Sequence, residues 1–164
     1  MSAQDSKLFV ISGPSGAGKG TLVTRVRERR SNLGLTVSAT TRAPRKGEVD
    51  GVNYFFLTRE EFDRRMANGE FVEWAEVHGN CYGTLVSEVQ SKLASGSSLI
   101  LEIDVQGALQ VKERFPEAVL IFIKPPSLEV LRERLVGRGT ETPETIELRM
   151  ANAADELALA DRYD

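Results

Sequence analysis

Residues 11–21 read "ISGPSGAGKGT", a stretch whose residue types and spacing suit it to holding phosphate. Gly13, Gly18 and Lys19 fit the pattern Gly-x-x-x-x-Gly-Lys, behind the apolar run "LFVI" and ahead of a segment with helical spacing. Glycines let successive amides turn inward around an anion, the helix start adds its positive end, and the lysine reaches the outer phosphates. A nucleoside triphosphate is the expected guest. Gly20 stands where such loops carry a hydroxyl that binds Mg²⁺, and Thr21 comes one position late. Mg²⁺ usually keeps several waters, so the triphosphate and water-bridged carboxylates are expected to hold it. The run "LILEID" offers two, Glu102 and Asp104, expected on one face at a strand end.

Two further groups of cations have the right chemistry. Arg42, Arg45 and Lys46 lie in "TTRAPRKG", where Pro44 and Gly47 preclude a regular helix. The arginines form either a fork around one phosphate or a solvated charge run. Tyr54 and Tyr82 bring either hydroxyl donors or half-buried packing. Trp74, beside Glu73, fits core packing better than a platform for a base, and His78, the sole histidine, reads as structural or exposed. Arg134, Arg138 and Arg149 flank a hinge-like segment rich in Gly and Thr, as a mobile lid over phosphates requires; arginines on a solvated helix would look the same.

The elements that must position these residues alternate. "LFVI" (8–11), "LILEI" (99–103) and "VLIFI" (119–123) are unbroken apolar runs, suited to strands covered on both faces. Between them lie helical spacings: Leu22 with Val26, Leu109 in "VQGALQVKERF", and Leu128, Leu131 and Leu135. An α/β fold with a parallel sheet follows. Thr58 and Glu61 predict a capping box for a helix that carries Phe62 and Met66 and stops at Asn68 and Gly69. Thr142 and Pro143 predict the start of a helix with Ile146, Met150, Ala153 and Leu157 as its buried stripe. Residues 35–85, rich in β-branched and aromatic side chains around "APRKGEVDG", predict a small mixed β insertion. The sheet so counted keeps an uncovered edge.

Composition narrows the setting. The 164 residues, 41% of them hydrophobic, suit one compact domain, and a net charge of -3 argues against non-specific binding to a nucleic-acid backbone. A lone Cys81 needs no oxidising compartment and suits a small buried residue, and neither a secretory start nor a membrane-length apolar stretch is visible. A cytoplasmic chain is expected, with its oligomeric state left open.

"ISGPSGAGKGT", "VSATTRAPRKGEVDGVNYFF", "GEFVEWAEVHGNCYGT", "LILEIDVQGA" and "LVGRGTETPETIELR" together resemble guanylate kinases, from about residue 8 to the end of the chain. The resemblance implies a core of the phosphate-loop NTPase type (1–34, 86–125 and 151–164), a GMP-binding domain (35–85) and a helical lid (126–150), with a further strand and helix of roughly 30 residues beyond. It implies transfer of a phosphoryl group from MgATP to GMP. ATP would lie on Gly13, Pro14, Ser15, Gly16, Ala17, Gly18, Lys19, Gly20 and Thr21, with Arg134 and Arg138. Arg42, Arg45, Tyr54 and Tyr82 would hold the GMP phosphate, and Ser38, Glu73, Thr84 and Asp104 would surround guanine. Lys19, Arg42, Arg138 and Arg149 would be catalytic. Mg²⁺ would be the cofactor, reached through water by Glu102 and Asp104, with Glu102 standing where the family commonly has aspartate. A guanylate-kinase-like module that only binds phosphorylated protein segments would show a degraded phosphate loop or lid, and here Gly13, Gly18, Lys19 and the lid arginines are all present.

Overall fold

The computed structural model describes residues 5–164. The core sheet is parallel throughout, in the order β2 (Leu33–Leu35), β7 (Ser98–Glu102), β1 (Leu8–Ser12), β8 (Val119–Phe122). The apolar runs at 8–11 and 99–103 therefore occupy its centre, buried on both faces as central parallel strands must be, whereas the run at 119–123 forms an outer strand, where Leu120 is buried but Ile121 is 37% exposed because that face lacks a covering element among the described residues. Val10, Leu99, Leu101 and Leu120 pack with Val89 of α3 (Val86–Ala94) and with Ala108 and Val111 of α4 (Val105–Arg114). On the other face α1 (Lys19–Arg29) buries Val23 against Ile11 and Ile100. Leu22 is 40% exposed, so the buried contact falls one residue later than the Leu22/Val26 spacing indicated. In α4, likewise, the buried residues are Val105, Ala108 and Val111, and Leu109 is only half-buried.

The insertion is mixed, as its composition predicted. Its sheet runs β4 (Phe55–Phe56), β3 (Ala39–Thr40), β6 (Asn80–Leu85), β5 (Phe71–Val77), with β3 parallel to β4 and antiparallel to β6. Helix α2 (Arg59–Ala67) covers it, and the fully buried Phe62 stacks on Phe71 with ring centroids 4.3 Å apart. Only half of the capping box forms. Thr58 accepts from the Glu61 amide at 3.1 Å, but the Glu61 carboxylate is taken by Arg64 and Arg65, whose charges outcompete a single amide and hold its pKa down to about 2. His78 and Gly79 form the β5–β6 turn with φ of 51° and 80°. His78 is exposed in this turn, as expected, whereas Trp74 is a correction: it is 42% exposed and lies outside the core because β5 turns that face to solvent. Cys81 is buried as expected, and burial pushes its thiol pKa up.

Helices α5 (Leu128–Gly137) and α6 (Pro143–Ala158) pack on each other through Leu131, Leu135, Ile146 and Ala153, with Leu128 left exposed. Thr142 caps α6 by accepting from the Thr145 amide. Strand β8 is an outer strand of the core sheet, and its far side is met at Leu120, whose carbonyl accepts from the Asp164 amide at 3.0 Å. No helix among the described residues is long and apolar enough to cross a membrane.

Candidate active site

The loop 13–18 joins β1 to α1, and its glycines serve two ends. Gly13, Gly16 and Gly18 have φ of 155°, 87° and 97°, and a side chain on Gly13 would run into the Ile123 carbonyl after β8. Helices α2, α4, α5 and α6 each begin on a capping side chain, Thr58, Asp104, Ser127 and Thr142. Helices α3 and α1 have no side-chain cap; the first amide of α3, on Val86, is taken by the Glu70 carbonyl at 2.9 Å, whereas α1 begins on Gly18 of the loop. Its first amides are therefore left for an anion, where the helix dipole also favours negative charge.

The lid arginines reach this loop from the α5–α6 pair. Arg134 Nη1 donates to the Gly16 carbonyl at 3.0 Å, and Arg149 Nη1 donates to Ser15 Oγ at 2.9 Å. Arg149 Nε lies 3.0 Å from Glu141 Oε1, which anchors the guanidinium from behind. Arg138 is the C-cap of α5, and with Arg134, Arg25 and residues 16–18 it lines a cleft of about 640 Å³ beside the loop.

At the end of β7 one expectation needs correcting. The strand stops at Glu102, and Asp104 lies beyond it as the N-cap of α4, with Oδ1 accepting from the Gly107 amide at 2.7 Å. Capping, rather than strand alternation, sets the direction of Asp104. Its carbonyl faces Ser12 Oγ at 3.5 Å, which ties it to the strand feeding the loop. Glu102 is exposed and pairs with no other described residue; a β-carbon on Gly20 would come within 3.9 Å of its Oε1 and meet nothing else.

Across from α4, β5 and β6 carry the base-reading candidates. Glu73 and Thr84 are cross-strand partners, and Thr84 Oγ1 donates to Glu73 Oε1 at 2.8 Å. Burial pushes the Glu73 pKa up, with the negative charge of Asp104 adding to it. Gly107 leaves room here: a β-carbon would sit 3.4 Å from Glu73 Oε2 and 3.2 Å from Asp104 Oδ1. Ser38 precedes β3, where its carbonyl accepts from the Phe55 amide, and its side chain makes no bond with this group. In the basic loop, Arg42 stands over the Tyr54 ring at 5.2 Å, and the Tyr54 and Tyr82 rings meet edge-on at 6.2 Å. Arg45 touches the group only through its backbone, its amide donating to Glu48 Oε1 at 2.7 Å and its carbonyl accepting from the Glu48 amide at 3.0 Å, and its side chain is exposed.

Three acidic residues escaped the sequence analysis. Glu48 forms a two-pronged pair with Arg42 at 2.9 and 3.0 Å, Glu141 backs Arg149, and Glu156 of α6 is half-buried with its pKa raised by burial and opposed by the Lys19 charge. Spacing held a signal for two of them. Glu48 follows Arg45 by three residues and Glu156 follows Arg149 by seven, which is one helix face.

An uncapped helix start overhung by arginines, with Asp104 between it and a second group that has its own arginine and a half-buried carboxylate, fits a kinase of the phosphate-loop class. Comparison narrows the class. The guanylate kinase family model matches residues 5–164. Curated guanylate kinases of Halalkalibacterium halodurans and Gloeobacter violaceus are 54% and 58% identical, covering 100% and 97% of this chain and 80% and 78% of theirs. The crystal structure of guanylate kinase from Anaplasma phagocytophilum has 38% identity and a TM-score of 0.65, covering 97% of this chain and 74% of that one. The chain belongs to the guanylate kinase family, and it is a phosphotransferase.

Proposed function

We propose how this chain carries out its family's reaction, transfer of the γ-phosphoryl group of ATP to GMP giving ADP and GDP. The loop amides and Lys19 hold the ATP phosphates, with Arg134 and Arg138 at the lid side. Arg42 and Arg45, with Tyr54 and Tyr82, hold the acceptor phosphate in line, while Ser38, Glu73, Thr84 and Asp104 surround guanine. An oxygen of the GMP phosphate attacks the γ-phosphorus as the bond to the ADP oxygen breaks. That phosphate is largely ionised at neutral pH because its second pKa is about 6, so no protein base is needed. Arg149 and Arg138 balance the charge on the migrating group. Residues 35–85 act as the GMP-binding domain, 126–150 as the lid, and their closure excludes water.

The observation that carries this is the Glu73–Thr84 pair. Guanine donates from N1 and from its exocyclic N2, and a carboxylate with one oxygen already fixed by Thr84 Oγ1 can accept both donors. Adenine presents an acceptor at N1, which would face the carboxylate unpaired. ADP release is therefore expected with GMP at a rate about 10³-fold or more above that with AMP. Equal rates for the two, in an assay that also includes dGMP and no acceptor, would refute the guanine assignment, and no turnover with any would refute the reaction.

Mg²⁺ fits as a partner of ATP. Glu102 is exposed at the end of β7 beside Gly20, so the ion would be held by the phosphates, with Glu102 and Asp104 reached through water. The chemistry supplied there would be neutralisation of charge on the ATP phosphates. Since the space over Gly20 is open toward Glu102, Gly20→Ser fits without repacking and adds a hydroxyl ligand. The Mg²⁺ concentration for half-maximal rate is expected to fall about tenfold, the effect of one ligand worth about 1.4 kcal/mol. An unchanged requirement in a Mg²⁺ titration would show that residue 20 lies out of reach of the ion.

A further inference from the structure

Arg42 has five N–H groups, and their partners divide by edge. Nη1 donates to the Ala43 carbonyl at 3.0 Å and to Glu48 Oε1 at 2.9 Å, and Nη2 donates to Glu48 Oε2 at 3.0 Å. Glu48 thus occupies the end of the guanidinium, across Nη1 and Nη2. Nε–H and the second Nη2–H lie together along the side edge, and they form a second fork with the spacing of two phosphate oxygens. Tyr54 and Tyr82 hydroxyls lie close enough to the guanidinium to favour its charged form.

Two roles for Glu48 give opposite predictions. As a stand-in for the acceptor phosphate it would have to leave when GMP arrives. As a fixture it would stay, turning the side edge of Arg42 toward the substrate. Its anchoring favours the second. Glu48 Oε1 accepts from the Arg45 amide at 2.7 Å, and the Glu48 amide donates to the Arg45 carbonyl at 3.0 Å, so the residue is clasped to its own loop from both ends. Both side chains of the pair are shielded, 13% exposed for Arg42 and 17% for Glu48, and the Arg42 amide is tied to Thr40 Oγ1 at 3.1 Å. With Arg42 and the Arg45 amide beside it, the Glu48 carboxylate is held down to about 2 and stays charged throughout the working pH range.

We propose that Glu48 is a positioning residue for the acceptor site: it fixes the end of the Arg42 guanidinium so that the side edge, with Tyr54 and Tyr82, is presented to the phosphate of GMP. The proposal rests on the assignment of Arg42 to that phosphate. A carboxylate on one edge also offsets the charge of an arginine whose other partners, the Ala43 carbonyl and the tyrosines, are neutral, so the residue remains ordered between turnovers.

Steady-state kinetics of the full chain separate the possibilities. E48A is expected to raise KM for GMP about tenfold or more, as the loss of one charge-assisted contact does, and to leave KM for ATP within about twofold. E48Q, which keeps the shape and one acceptor, should fall between E48A and the parent, and its unchanged KM for ATP reports an intact fold. Because Glu48 acts through Arg42, R42A/E48A should match R42A alone. A lower KM for GMP in E48A would mean that the carboxylate competes with the substrate, and an unchanged one that it does not orient Arg42; additive effects in the double variant would mean that it acts elsewhere. Each overturns the inference while the acceptor assignment stands. If R42A itself leaves KM for GMP unchanged, the assignment falls and the inference with it.

Discussion

Arg149→Ala is expected to lower kcat about 10³-fold while KM for GMP stays within about twofold, measured by coupled ADP release at saturating substrates. Arg149 touches only the donor side, through Ser15 Oγ at 2.9 Å, and Glu141 holds it there. In phosphoryl transfer the negative charge spreads over the oxygens of the migrating group, and an arginine already aimed at that region lowers the barrier without reorganising. Ground-state binding is expected to depend little on it, because the proposed assignment gives the triphosphate to the loop amides and Lys19. Arg149→Lys should recover only part of the rate, since an ammonium keeps the charge but loses the planar fork. Arg132→Ala is the matching control: Arg132 pairs with Glu147 on the exposed side of the same two helices, so its loss should leave kcat nearly unchanged. A kcat for Arg149→Ala within tenfold of the parent would remove the residue from the catalytic group.

Glu73→Gln is expected to lower kcat/KM for GMP by about 10²- to 10³-fold, because the amide replaces one of the acceptors for two guanine donors with a donor of its own. A second signature lies in the pH profile. Burial and the Asp104 charge raise the Glu73 pKa, so the folded chain binds that proton more tightly than the unfolded chain does. Stability from this group is present at low pH and is lost as pH rises from the ordinary carboxylate range through the raised value. GMP works in the opposite direction, since guanine donors favour the carboxylate. KM for GMP should therefore rise as pH falls through the raised Glu73 pKa, and Glu73→Gln should remove that part of the slope. The part due to the GMP phosphate, with its second pKa of about 6, remains in the variant and serves as the internal reference. A profile identical in parent and variant would show that Glu73 does not face the base.

Much of the donor site was legible along the chain because it is local. A phosphate loop is a strand, a few glycines and a helix start in direct succession, and Gly13, Gly18 and Lys19 fall where that geometry requires them. The two central strands could be read for a similar reason, since a parallel strand buried on both faces is an unbroken apolar run; the third run became the outer strand β8, covered on one face only. The expectations that failed depended on which partner a side chain meets in space. Glu61 matched a capping box, yet nearby Arg64 and Arg65 took its carboxylate. Trp74 matched a core residue, yet the pairing of β5 with β6 left its face in solvent. Asp104 counted as a strand residue until the chain turned into α4 and used it as a cap.

By itself, then, the sequence determined the α/β class, the anion-binding loop, the sign and spacing of the charges near it, and, through the joint presence of its separated motifs, the resemblance to guanylate kinases. Only the tertiary structure decided which charges meet. It set Arg149 on Ser15 across 134 positions, brought Glu73 of the insertion toward Asp104 of the core, and gave Arg42 a carboxylate across one end of its guanidinium with Tyr54 and Tyr82 close by. The reason is physical: an amide cradle or a buried strand is specified by neighbours along the chain, whereas a charge pair depends on distance and direction in space, which the packing of separate elements alone supplies.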